Sequence, residues 1–169
     1  ADQMSEMADK IKGEAASKVN LEILRGEQLL TFEVIREKVN TNPVYSEKLE
    51  NNIGYLDISS FDDGTAEDFK AKYLSLKEQG IKGLVIDLRD NGGGYLTAAT
   101  DILDLFFSSD EVIYQMKEKN SAAKKYYAES DKKYEFENGY ILVNENTASA
   151  SELTAGALQS EKGYQLIGK

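Results

Sequence analysis

The sequence predicts an α/β fold: a βα core preceded by a smaller, incomplete module. Three observations predict it. From Ile53 onward, apolar runs of strand length alternate with amphipathic segments of helix length, joined by short connections. Hydrophobic residues make up 41% of the 169 residues, enough to bury a core. A composition break falls at Thr41-Asn-Pro-Val-Tyr45, which holds the only proline, so residues 41–52 read as a linker between residues 1–40 and a core at 53–169.

The elements follow in order. Met4, Met7, Ala8 and Ile11 recur at helical spacing, predicting a short helix over Gln3 to Lys12, with Gly13 as its stop. Val19-Asn-Leu-Glu-Ile23 and Leu30-Thr-Phe-Glu-Val-Ile35 alternate about an Arg25-Gly-Glu-Gln28 turn, predicting a β-hairpin. A helix and a hairpin cannot bury a core alone, so this part reads as the tail end of a module.

In the core, Ile53-Gly-Tyr-Leu-Asp-Ile58 reads as a strand. Thr65-Ala-Glu-Asp68 resembles a capping box opening a helix with Phe69, Tyr73 and Leu76 on one face and Gly80 at its end. Gly83-Leu-Val-Ile-Asp-Leu88 is a nearly continuous apolar run, as in a strand covered on both faces. Asn91-Gly-Gly-Gly94 makes a turn, and Ala98, Ala99, Ile102, Leu103, Leu105 and Phe106 mark a buried helix. Glu111 to Gln115 reads as a strand, and Lys117 to Lys133, charged and dotted with tyrosines, as an exposed loop or hairpin. Tyr140-Ile-Leu-Val-Asn144 is a strand, followed by a helix to about Gln159 and a last strand from Gln165.

Composition excludes several functions. A net charge of −10, from 20 Lys and Arg against 30 Asp and Glu, disfavours phosphate backbones and anionic lipid as partners. No apolar run reaches membrane-spanning length, and no signal peptide is read. The chain has no His and no Cys, which removes Ser-His-Asp and Cys-His catalysis, the usual zinc sites and disulfides. A hydrolytic nucleophile would be Ser or Thr activated by lysine or carboxylate. No metal or cofactor is expected.

Two constellations carry candidate chemistry. Asp87-Leu-Arg-Asp-Asn-Gly-Gly-Gly94 ends a strand, where open α/β sheets bind ligands, and its glycines can present unhindered N–H groups. A plain strand-to-helix turn explains the glycines equally, no nucleotide-binding motif accompanies them, and Asp87 with Arg89 reads as a structural pair. The second is Thr147-Ala-Ser-Ala-Ser-Glu152, between a strand and a helix. A serine there is exposed, with small neighbours and a helix N-terminus beside it, and the N–H of Ala150 faces the same place. Ser149-x-x-Glu152 is also a capping box, which is the better reading of that motif alone, and Ser151 competes as nucleophile. Asp57, Asp62, Asp63, Asp87 and Asp90 sit near strand ends, but their spacing selects no catalytic pair, and Tyr126-Tyr127 with its lysines reads as a solvated loop.

Taken together and in this order, Ile53 to Ile58, Gly83 to Gly94 and Tyr140 to Leu158 resemble the C-terminal processing, or tail-specific, serine proteases. The resemblance covers roughly residues 50 to 169, and residues 1 to 40 resemble the closing part of the PDZ domain such proteases carry. It implies a tail-specific protease core, crotonase-like in its α/β architecture, and an endopeptidase that engages protein or peptide substrates through a free C-terminus. By motif position the nucleophile of its Ser–Lys dyad is Ser149, with the oxyanion hole made by the N–H of Ala150 and one from the glycine loop, Gly93 first and Gly94 second. The family's base lysine falls in a Gly-Lys-Gly turn past Lys169, so the chain is expected to lack its base and to be inactive alone. The resemblance also implies an extracytoplasmic setting. A sheet edge left open by absent strands would favour a homodimer or domain swap. Two alternatives remain: a non-catalytic peptide-binding relative on the same fold, and an acyl-thioester enzyme with a related βα core.

Overall fold

A computed structural model describes residues 3–37, 42–119, 121–129 and 139–169, and divides the chain into units of residues 1–41 and 42–169. The first unit holds helix α1 (Gln3–Ile11) and strands β1 (Lys18–Arg25) and β2 (Gln28–Ile35), paired antiparallel from Lys18↔Ile35 to Arg25↔Gln28. Gly26, with φ 65°, turns the two-residue loop, as the sequence predicts. The Arg36 guanidinium ties the unit together, donating to the Ile11 carbonyl at 2.7 Å and to the Ser17 hydroxyl at 2.9 Å. No described side chain of this unit is buried; Leu24 and Leu29 are 69% and 61% exposed. Helix plus hairpin makes no core of its own.

The second unit is built on one five-stranded sheet in the order β3 (Val44–Leu49), β4 (Ile53–Ile58), β5 (Gly83–Asp87), β8 (Gly139–Val143), β9 (Gln165–Gly168). β4, β5, β8 and β9 run parallel, and β3 pairs antiparallel with β4. Helices α2 (Thr65–Glu78), α3 (Leu96–Leu103) and α4 (Ala150–Lys162) share one buried cluster with Leu56, Ile58, Leu84, Ile86 and Ile141. Phe69, Tyr73 and Leu76 of α2 are buried together, as their spacing predicts, and Phe106 sets its ring edge-on to Phe69, Tyr73 and Tyr164. Outside this sheet, β6 (Val112–Met116) and β7 (Lys124–Tyr127) form an antiparallel hairpin.

Four expectations are corrected. Residues 41–52 are not all linker, because β3 forms there with Pro43 just outside it, where a missing N–H costs no ladder bond. Thr65 does not cap α2: Gly64 does, in left-handed conformation, while Thr65 Oγ1 accepts the Asp62 N–H at 2.8 Å and Asp68 turns to Lys72 at 2.9 Å. β5 is not covered alike on both faces. The three helices gather over Leu84 and Ile86, while Val85, like Tyr55 and Tyr140 beside it, is half-buried on the other face. Helix α3 stops at Leu103, so Leu105 and Phe106 lie in a tightened turn, Phe106 still reaching the core. The Lys117 to Lys133 segment holds β7, where Tyr126 stacks on Tyr114 with centroids 4.3 Å apart; its residues 120 and 130–133 lie outside the described residues.

Candidate active site

Parallel pairing of β5 with β8 sets their C-terminal ends side by side, so residues 88–95 and 144–149 meet above the sheet. Polar side chains join the two loops. Thr147 Oγ1 donates to the Leu88 carbonyl at 2.8 Å, and Asp90 N–H donates to Asn144 Oδ1 at 2.9 Å. The Asp90 carboxylate accepts from Asn146 Nδ2 at 2.7 Å and Asn144 Nδ2 at 2.9 Å, and these bonds, Asn146 first, hold its pKa below the ordinary range. Asp87 and Arg89 do form a pair, with Arg89 Nε 2.9 Å from Asp87 Oδ1 and the Tyr55 hydroxyl donating to Oδ2 at 2.6 Å. Burial pushes the Asp87 pKa up, yet the hydrogen bonds from Arg89 and Tyr55 outweigh it and leave it lowered.

Ser149 stands at the corner between β8 and α4, exposed, with φ 57° and ψ −117°. An N-cap residue ordinarily lies in the β region, so capping alone does not require this left-handed backbone, and a β-carbon held there is strained. Sharp strand-to-helix corners that lift a nucleophile clear of its neighbours do require such a turn. Glu152 Oε2 accepts the Ser149 N–H at 2.8 Å, the returning arm of a capping box. Cap and corner coexist. Ala150, the first residue of α4, has an N–H with no intrahelical acceptor. Ser151 is 0% exposed, and its hydroxyl donates to the Asn91 carbonyl at 3.0 Å.

The glycines divide their tasks. A β-carbon on Gly93 would lie 2.8 Å from the Ala148 oxygen and 2.9 Å from the Ala150 nitrogen, so only glycine lets the strap lie against the serine corner. Gly94 instead abuts Phe61, where a β-carbon would meet the carbonyl oxygen at 2.2 Å, and Phe61 brackets it by bonds to Gly93 O and from Tyr95 N–H. The Gly93 N–H donates to Asn91 Oδ1 at 2.8 Å, whereas among the described residues no hydrogen bond from the Gly94 N–H is found. The sequence does not single out Asn91, Asn144 or Thr147 as site residues, and names Asp90 only among strand-end carboxylates whose spacing selects no pair; an Asx-rich strand end is the signal that points to them.

Lys162 is half-buried, but it lies at the far end of α4, ~20 Å from Ser149 at the helical rise. There it binds Glu111 Oε2 at 2.7 Å and covers the Phe107 ring. A polar cavity of about 350 Å³ at the end of β5 is lined by Tyr55, Asp57, Asp87, Arg89, Asp90 and Asn144. A second, also about 350 Å³, lies among α2, α3 and the β6–β7 hairpin, with no residue of the glycine strap or serine corner in its wall.

This is a βα core with a strained serine and a glycine strap at one sheet end. The family model of peptidase family S41 matches residues 52–169. The chain is 34% identical over 164 residues to the carboxy-terminal processing protease CtpB of Bacillus subtilis, covering 94% of this chain and 34% of that protein. It is 35% identical over 167 residues to CtpA of the same organism, covering 98% and 36%. The photosystem II D1 C-terminal processing protease matches in structure with TM-score 0.64 and 25% identity, over 98% of this chain and 47% of that one. A putative S41 protease from Bacteroides fragilis shares the fold at TM-score 0.60 and 15% identity, over 89% and 45%. The chain belongs to the C-terminal processing protease family, peptidase family S41. It spans about a third of the length of the two Bacillus relatives. Among the described residues no helix is long and apolar enough to cross a membrane.

Proposed function

We propose that this chain carries the nucleophile and oxyanion hole of a serine endopeptidase that engages proteins through their C-terminal region and cleaves by a Ser–Lys mechanism. The observation that carries the reading is the Ser149 corner: an exposed serine in left-handed conformation, at a helix N-terminus, with Gly93 packed against it. Ser149 Oγ attacks the scissile carbonyl as a neutral lysine takes its proton. The oxyanion accepts from the N–H of Ala150 and from one of the strap, and the α4 N-terminus adds partial positive charge. Collapse releases the amine with the lysine's proton and leaves an acyl-serine, which water hydrolyses. The free N–H favours Gly94 as the second donor, with Gly93 the residue that allows close approach. Lys162 is remote from Ser149 and paired with Glu111, which argues against it as that lysine. Residues 1–40 belong to a PDZ domain, a reading supported by a helix and hairpin whose described side chains are not buried.

The working site is extracytoplasmic, as the resemblance implies. The exposed edge strand β9, with Leu166 and Ile167 outward, supports pairing of two copies or a domain swap, and an unchanged mass across a concentration series in light scattering would count against it.

The test is cleavage of a peptide with an apolar free C-terminus by the full-length protein and by residues 1–169. Ser149→Ala is expected to lower turnover by roughly 10⁴-fold or more, and Ser151→Ala by no more than about tenfold, the worth of one hydrogen bond. Equal loss in both variants would reject Ser149. Binding without cleavage by the full-length protein would instead favour the peptide-binding relative.

A further inference from the structure

Four hydrogen bonds around the glycine strap and the serine corner converge on one side chain and its own carbonyl. Asn91 is 0% exposed. Its Nδ2 donates to the Ile58 carbonyl at the end of β4, at 2.6 Å, and its Oδ1 accepts the Gly93 N–H at 2.8 Å. Its main-chain carbonyl accepts the Ala148 N–H at 3.1 Å and the Ser151 hydroxyl at 3.0 Å, one on each side of Ser149. Asn91 therefore touches β4, the strap and both flanks of the serine.

We infer that Asn91 is the positioning residue of this site: it holds the strap against Ser149 and occupies the Gly93 N–H, so that Gly94 supplies the second oxyanion donor. The inference rests on the serine-peptidase reading and deepens it. A backbone donor serves an oxyanion only if it is fixed and unoccupied before the charge develops. Three consecutive glycines are the most mobile linker a chain can make, so the strap needs an anchor that the glycines themselves lack. The amide of Asn91 provides it with both ends satisfied, one by a strand and one by the strap. No other amino acid of that length offers a donor and an acceptor at a buried position without charge.

The test uses the ¹⁵N-labelled chain, read by amide hydrogen exchange and by titration with a peptide boronic acid, which becomes tetrahedral on adding to a serine hydroxyl. In the wild type the Gly93 amide is expected to be protected and the Gly94 amide to exchange freely. The boronate should then shift the Gly94 and Ala150 amides. In Asn91→Ala, Gly93 exchange should rise by roughly tenfold or more, the worth of one buried hydrogen bond. Boronate affinity should fall in proportion, and in the full-length enzyme kcat should fall by about 10²-fold with KM little changed. If Asn91→Ala does not fold, Asn91→Asp keeps the acceptor and should restore Gly93 protection at low pH, where the new carboxyl is neutral. A free Gly93 amide, a boronate that shifts Gly93 rather than Gly94, or unchanged affinity in a folded Asn91→Ala would each overturn the inference. Absence of tetrahedral boron in the wild type would instead reject Ser149 as nucleophile, with the exchange arm still deciding what Asn91 holds.

Discussion

A β-carbon placed on Gly93 would come within 2.8 Å of the β-carbon of Ser149. Gly93 also has φ 99°, so an L side chain meets backbone strain and a clash together. Gly93→Ala is expected to cost roughly 2–4 kcal/mol of stability. Urea unfolding is the measurement, and a change below about 0.5 kcal/mol, the scatter of ordinary surface substitutions, would mean that strap and corner are not packed together.

Ser149 stores strain that its own replacement should release. Glycine adopts φ 57° and ψ −117° without penalty, and the Glu152 bond is made to the backbone N–H, which Ser149→Gly keeps. The variant should be more stable by about 1 kcal/mol and, on the proposed reading of Ser149, inactive. An ordinary N-cap serine changed to glycine loses a few tenths instead, so a lower Tm would restore the capping reading.

Lys162 and Glu111 tie the end of α4 to the residue just before strand β6. The Lys162 ammonium first, then the Ser108 N–H, lower the Glu111 pKa to about 2 from an ordinary 4.5. The folded-state pKa is depressed, so this contribution is complete above about pH 4.5 and lost as pH falls toward about 2. Thermal unfolding from pH 7 to pH 3 should show a smaller fall in Tm for Glu111→Gln than for the wild type. Parallel curves would show that the pair does not couple folding to protonation.

The Tyr164 hydroxyl is buried with no hydrogen-bond partner among the described residues, and burial, then the nearby Tyr73 phenol, raise its pKa. Tyr164→Phe removes the unsatisfied group and keeps the ring against Gly139. Stability should be unchanged or higher by up to about 1 kcal/mol, and a clear loss would indicate an ordered water on that hydroxyl.

The sequence shows the elements better than it shows their company. β4, β5, β8 and β9 were legible because strand-length apolar runs between turn residues are a local pattern, and α2 because Phe69, Tyr73 and Leu76 repeat at helical spacing. β3 was missed because Tyr45-Ser-Glu-Lys48 is polar, as an edge strand tolerates, and Pro43 beside it reads as a break. Ser149 was legible as a candidate from its position between strand and helix. What sets it apart from Ser151, a left-handed backbone against a hydroxyl spent on Asn91, is a property of conformation that no spacing encodes. Asn91 itself was invisible as a tie, since its partners Ile58 and Ser151 lie 33 residues before it and 60 after.

Those long reaches bear on when, during folding, the strap and the serine corner first meet. The bonds Asp90–Asn144, Leu88–Thr147 and Asn91–Ser151 close loops of 54, 59 and 60 residues, and none can form until β8 has docked beside β5. Non-local closures of this kind are slow steps in folding. A partly made chain, even one already carrying every glycine of the strap, therefore has no strap packed against the Ser149 corner. Assembly of the central sheet must therefore come first, and the strap meets the serine corner only once the core has closed.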